Sequence, residues 1–116
     1  MLFRSLYRQD IAIAAAERTV GRVTAAQAAD ELLNIAGISA SFVLYPDGER
    51  VILSARSIGN TNVQVIVEAL GGGGNAAAAG AQIPGRTVDE VRRELIAVLD
   101  SYFDEDGQDK TKKTER

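Results

Sequence analysis

No cysteine and no histidine occur in the 116 residues. The first absence excludes disulfides, a cysteine nucleophile and thiolate metal ligands, and it agrees with a cytosolic setting. The second removes the side chain that titrates nearest neutral pH, the commonest general base and the commonest transition-metal ligand. Lysine is confined to Lys110, Lys112 and Lys113. Residues 1–105 therefore carry nine arginines against thirteen acids, within a whole-chain charge of −3. Such a surface does not attract nucleic acid by bulk electrostatics, although a few placed arginines can still hold a phosphate. Long apolar runs are missing as well, with nothing near the ~20 residues of a membrane span. Met1-Leu2-Phe3-Arg4-Ser5 is too short and too weakly apolar for a signal peptide. The segment reads as soluble and cytoplasmic, with no membrane contact of its own.

What is present is ordinary globular composition, 46% hydrophobic and 25% charged, at a length that suits one domain. Ile11 to Ala14 reads as a strand. Thr24 and Gln27 make a capping box for a helix whose buried face is Ala25, Ala28, Ala29, Leu32, Leu33 and Ala36, stopped by Gly37. Ser41–Tyr45 and Arg50–Ser57 flank the turn signal Pro46-Asp47-Gly48 and predict an antiparallel hairpin. Alternation puts Ser54 and Arg56 on one face of its second strand, and Val51, Leu53 and Ala55 on the other. Asn60 or Thr61 is placed to cap a second helix, with Val63, Ile66, Val67 and Leu70 as its buried stripe. Ala81-Gln82-Ile83 is a candidate strand ending at Pro84-Gly85. Thr87 and Glu90 form another capping box before a helix of about four turns lined by Val88, Val91, Leu95, Val98, Leu99 and Tyr102. Residues 1–10 read as an N-terminal extension cut short, 11–105 as the domain, and 106–116, without an apolar residue, as a disordered charged tail. The fold expected is a single α+β domain, sandwich-like, with a small mixed or antiparallel sheet and three helices.

Gly71 to Gly74 is the most unusual stretch. One glycine ends a helix, whereas each further one costs backbone entropy, about 0.5–1 kcal/mol relative to alanine in regular structure. Close approach of backbone N–H groups to an anion is one explanation, and a flexible connector or tight packing corner is the other. The P-loop pattern fails because Asn75 and alanines follow the glycines in place of lysine and a hydroxyl residue. The dinucleotide fingerprint fails because this loop follows a helix. Arg56, Ser57, Asn62 and Gln64 lie shortly upstream; an arginine fork suits phosphate, and amides suit phosphate oxygens or base edges. Their alternative roles are a solvated strand-end charge for Arg56 and simple helix capping for Asn62 and Gln64. No acidic cluster has a spacing that points to a metal site or a catalytic pair.

The series Gln27-Ala28-Ala29-Asp30, Ala40-Ser41-Phe42-Val43, Ile52-Leu53-Ser54-Ala55-Arg56-Ser57-Ile58-Gly59, Asn62-Val63-Gln64-Val65-Ile66 and Leu70-Gly71-Gly72-Gly73-Gly74 resembles the DHH-associated C-terminal domain of DHH-family phosphoesterases. The likeness covers residues 11–102 and extends to the membrane-bound cyclic-di-AMP phosphodiesterases of the GdpP type. The resemblance implies a division of labour. An N-terminal DHH domain holds two metal ions, usually manganese, and the associated domain clamps the nucleotide. This chain would then need no cofactor of its own and would not be an enzyme alone, although its parent would be. Its partners would be a cyclic dinucleotide or short oligonucleotide and the DHH domain of the parent, with a homodimer left open. Upstream helices could anchor the parent to the plasma membrane.

Carried over by resemblance, Arg56 binds phosphate with Ser57 in support, and Gly72, Gly73 and Gly74 offer backbone donors. Asn62 and Gln64 are candidate nucleotide contacts. The family has a histidine directly after the glycines, where this chain has Asn75. Asparagine keeps a donor but cannot carry charge, which points to a tuned site. Two other readings stay open: a nucleic-acid-holding domain of the oligoribonuclease or single-strand exonuclease branch, and a stand-alone or vestigial nucleotide-binding module.

Overall fold

In the computed structural model, the backbone of residues 2–115 and the side chains of residues 6–104 are described. The elements run β1 (Leu2–Arg8), β2 (Ile11–Ala16), α1 (Arg22–Leu32), β3 (Ala40–Asp47), β4 (Arg50–Ser57), α2 (Val63–Glu68), β5 (Gly73–Gly74), β6 (Ala78–Pro84) and α3 (Val88–Glu115). Six strands make one sheet in the order β1-β2-β3-β4-β6-β5. β2 and β3 pair in parallel, with α1 as the crossover between them, and every other neighbouring pair is antiparallel. This is the expected single α+β domain with a mixed sheet and three helices.

Alternation along the strands divides the apolar residues into two cores. Ile11, Ile13, Phe42, Leu44, Val51, Leu53 and Ala55 face α2 and α3, where they meet Val63, Ile66, Val67, Val91, Leu95 and Leu99. Ala12, Ala14, Val43, Tyr45 and Ile52 face the other way, under Ala25, Ala29 and Leu32 of α1. β2 is buried along its whole length because both of its faces are covered, as a central strand with a helical crossover requires. The small alanines on its α1 side let that helix lie close to the sheet. Ser41 is buried there without penalty, because its hydroxyl donates to the Ala29 carbonyl at 2.7 Å.

Several local expectations shift. α1 starts at Arg22, three residues before the Thr24–Gln27 box would place it. Gly21, at φ 88°, turns the chain straight into the helix, and no side chain caps it. The last turn tightens into i→i−3 bonds from Leu33, Asn34 and Ile35, so Ala36 is exposed rather than part of the buried face. The cap of α2 is Asn62, not Asn60 or Thr61: its Oδ1 accepts from the N–H groups of Gln64 and Val65. The Thr87–Glu90 box forms as expected, with reciprocal bonds of 2.9 and 3.1 Å. Residues 2–8, read as an extension, form the edge strand β1. The helix expected to run about four turns to Tyr102 continues in the backbone to Glu115, through most of the segment 106–116 that was expected to be a disordered tail.

Candidate functional site

Three pieces of chain meet at one end of the sheet: the end of β4, the start of α2 and the β5–β6 turn. Arg56 lies opposite Ala78 in the β4–β6 register. The Ser57 N–H donates to the Ala77 carbonyl at 2.9 Å, and the Val63 N–H to the Ala76 carbonyl at 3.1 Å. Backbone pairing alone thus gathers residues 56–64 and 72–78, which include every expected site residue.

On the α1 side of the sheet a groove of about 410 Å³ starts at this end. It runs along β4 and β6 from Arg56, which meets Asp30 late in α1, to Arg22 at the start of that helix, about 12 Å of helix rise away. Arg22, Ser54, Arg56, Gly71, Gly72 and Gln82 supply its polar wall, and no acidic residue lines it. The Arg56 side chain is 24% exposed. One Nη donates to the Ala55 carbonyl at 2.9 Å, and Nε stands 3.5 Å from the largely exposed Asp30 carboxylate. A guanidinium has five N–H donors, so these contacts aim the group and leave donors for an anion.

The glycine loop divides residue by residue. A Cβ on Gly72 would stand 2.2 Å from the Gly80 carbonyl oxygen and 2.6 Å from Val67, so this glycine is required by packing. The Gly72 N–H already donates to the Val67 carbonyl at 3.0 Å, and it is therefore not the free anion donor expected. Gly74 is likewise pressed against Ala78 and Ala79. Gly73 differs. It is exposed, its φ is not positive, and a Cβ there would meet nothing within 4 Å. Gly73 pairs with Gly80 in the β5–β6 ladder, yet no packing among the described residues requires a glycine there, and its open Cα side is what a close-approaching ligand needs.

The remaining expected residues are near the groove but otherwise engaged. Ser57 follows Arg56 in the strand, so its side chain is on the opposite face; it is buried, and its hydroxyl accepts the Gly59 N–H at 3.3 Å. Asn62 caps α2, as above. The Gln64 side-chain amide donates to Glu68 at 3.1 Å, one turn along the same helix. Asn75 closes the β5–β6 turn: its Oδ1 accepts from the N–H groups of Ala77 and Ala78, both at 2.9 Å. Its amide nitrogen has no partner among the described residues.

Two residues with a bearing on the site were not singled out from the sequence. Arg22 lines the groove with Arg56; starting the helix at Thr24 had left Arg22 in a loop. The Tyr102 hydroxyl accepts the Asn62 N–H at 3.0 Å and so ties the cap of α2 to α3. Its helical spacing had marked Tyr102 only as core. A larger hollow of about 730 Å³ lies at the far end of the sheet, where Arg50, Arg86 and Arg92 are matched by Glu17, Glu49, Asp89 and Glu90. Among the described residues no group of three or more acids could hold a metal ion.

The family model of the DHHA1 domain matches residues 9–105. The chain belongs to the DHHA1 domain family. This DHHA1 domain is 43% identical over 101 residues to the cyclic-di-AMP phosphodiesterase PdeA of Listeria monocytogenes serotype 1/2a (strain 10403S), covering 84% of this chain and 15% of that protein. It is 43% identical over 104 residues to the cyclic-di-AMP phosphodiesterase GdpP of Bacillus subtilis (strain 168), covering 85% of this chain and 16% of that one. The chain thus spans about a sixth of the length of these relatives. Solved structures at 17% identity share the fold. One is the C-Ala domain of Aquifex aeolicus alanyl-tRNA synthetase, with a TM-score of 0.64 over 78% of this chain and 92% of that one. Another is the pGpG-specific phosphodiesterase PggH of Vibrio cholerae, with a TM-score of 0.61 over 84% and 35%. Among the described residues, no helix of this DHHA1 domain is long and apolar enough to cross a membrane.

Proposed function

We propose that the chain is the substrate-binding, non-catalytic half of a DHH-type phosphodiesterase that opens cyclic-di-AMP to the linear dinucleotide. The observation that carries this reading is Arg56, held in an acid-free groove beside the glycine loop, in a chain 43% identical to two cyclic-di-AMP phosphodiesterases. Gly73, open and unconstrained, supports it. Arg56 binds and orients a phosphate, and the loop backbone lets the nucleotide come close. Metal chemistry and the attacking water belong to a DHH domain of the parent. The domain works in the cytoplasm, with any membrane anchor supplied by other segments.

The test is to exchange the matching segment of the Bacillus subtilis relative for this chain and to assay hydrolysis of cyclic-di-AMP. An active chimera that loses at least tenfold in kcat/KM on Arg56→Gln supports the reading. An active chimera indifferent to Arg56→Gln removes the residue from the site. A folded chimera that prefers short linear RNA would move the domain to the exonuclease-like branch.

A further inference from the structure

We infer that Arg22 is a second anion-binding arginine, so that the groove between α1 and the glycine loop takes a ligand carrying two phosphate charges. The inference rests on the reading above and names the ligand chemistry of the same groove. Arg22 is the first residue of α1, is exposed, and lines the groove together with Arg56. Among the described residues Arg8, Arg50, Arg56, Arg86, Arg92 and Arg93 each stand against a carboxylate. Among the described residues Arg22, like Arg18, makes no hydrogen bond or ion pair, and of the two only Arg22 lines the groove; its charge is also felt at Tyr45.

The rest of the lining points the same way. In a protein with more acids than bases, the lining of this groove holds two arginines and no acid, and the carboxylate that stands against Arg56, Asp30, is largely exposed beside it. That local field is opposite in sign to the molecule's net charge and focuses anions. Arg50 donates to the Gln82 Oε1 at 2.7 Å, which leaves the Gln82 amide nitrogen as its free end. The side-chain polar groups are therefore those of Arg22, Arg56, Gln82 and the Ser54 hydroxyl, all able to donate, over a floor that includes Gly80. The larger hollow at the far end of the sheet lacks this character, because acids and arginines alternate around it. Arginine pairs with phosphate through a planar fork, one phosphate group to each guanidinium, so two arginines facing one groove select a ligand with two such groups.

The test titrates the 116-residue chain, followed by calorimetry and amide spectra, with three probes: inorganic phosphate, pyrophosphate and cyclic-di-AMP. Arg22→Gln should weaken pyrophosphate and cyclic-di-AMP about tenfold or more and inorganic phosphate less than threefold. Arg56→Gln should weaken all three. Unfolding of the Arg22→Gln chain should match the parent, since Arg22 loses no hydrogen bond or ion pair to the described residues. If Arg22→Gln binds pyrophosphate and cyclic-di-AMP as the parent does, the inference falls while the substrate-clamp reading stands. If pyrophosphate binding depends on Arg22 but cyclic-di-AMP shifts nothing, the two-phosphate groove stands and the cyclic-dinucleotide reading falls. Failure of all three probes at millimolar concentration overturns the inference.

Discussion

Gly72 and Gly73 are adjacent glycines with opposite requirements, and substitution separates packing from binding. Gly72→Ala drives a methyl into the Gly80 carbonyl and should destabilise the chain by about 1–3 kcal/mol, read as a lower denaturant midpoint. Gly73→Ala has room; by restricting the unfolded chain it should leave stability unchanged or raise it by up to about 1 kcal/mol. If Gly73 is open for a ligand, that same change should weaken cyclic-di-AMP binding in titration; unchanged affinity would assign the glycine to chance. Asn75 poses the converse problem: the resemblance implies a histidine at this position, and Asn75 also closes its own turn. Asn75→His should lose two bonds to backbone N–H groups, costing about 1–2 kcal/mol of stability, and gain a chargeable donor. Tighter phosphate binding below pH 6.5 by the variant than by the parent would show that the position faces the ligand. From the sequence, alternation placed Arg56 correctly, but the same rule puts Ser57 on the opposite face, against the supporting role carried over from the family. The packing demand at Gly72 comes from β6, remote in sequence, and no local pattern could announce it.

Among the elements, two capping boxes of equal appearance behaved differently. Thr87 and Glu90 form both of their bonds at the start of α3. Thr24 and Gln27 were preempted because a glycine with a left-handed backbone stood three residues earlier. Thr87→Ala should therefore cost about 1 kcal/mol, whereas Thr24→Ala should stay within about 0.5 kcal/mol, measured by urea unfolding. The start of α3 also predicts an acid response. The Arg92 side chain lowers the pKa of Asp89, and the backbone and hydroxyl of Thr87 lower that of Glu90. Groups depressed in the folded state stabilise it above their unfolded pKa and lose that effect as pH falls through the folded value. Stability should thus begin to drop as pH falls below about 4.5, and Glu90→Gln should flatten part of that slope. The three helices and the strands β2, β3, β4 and β6 were legible from runs with a period of 3.6 or 2, whereas β1 and the two-glycine β5 were not. The sheet order was not, because pairing β6 beside β4 and β5 outside it depends on the loop geometry of four glycines and Asn75.

At the scale of the molecule, the chain's first strand closes against its last helix. β1 lies wholly outside the family match at residues 9–105, yet it pairs along β2 and removes an open edge from the most buried strand. Its register is locked from the side. The Tyr7 hydroxyl donates to Asp100, its ring stacks on Phe103 at 6.0 Å, and the Arg8 guanidinium lies 4.1 Å over the same ring. Phe103 in turn meets Tyr102 edge-on at 5.0 Å, and Tyr102 holds the cap of α2. The contacts therefore run from the first strand to the end of the sheet that bears the groove. Reading residues 1–10 as an extension missed this, because the partners of Tyr7 are more than ninety residues away. Burial, then the hydrogen bond to Asp100, pushes the Tyr7 pKa up to about 12 from 10.0. The folded state thus prefers the neutral phenol, and that stabilisation is complete below pH 10 and lost as pH rises towards 12. Unfolding midpoints measured between pH 9 and 12 should fall in the parent and fall less steeply in Tyr7→Phe. A residual slope should remain in the variant, because burial also raises the pKa of Tyr45. Equal slopes in the two proteins would mean that β1 is not fastened to α3 through this bond, and that the first strand frays from the sheet without loosening the rest.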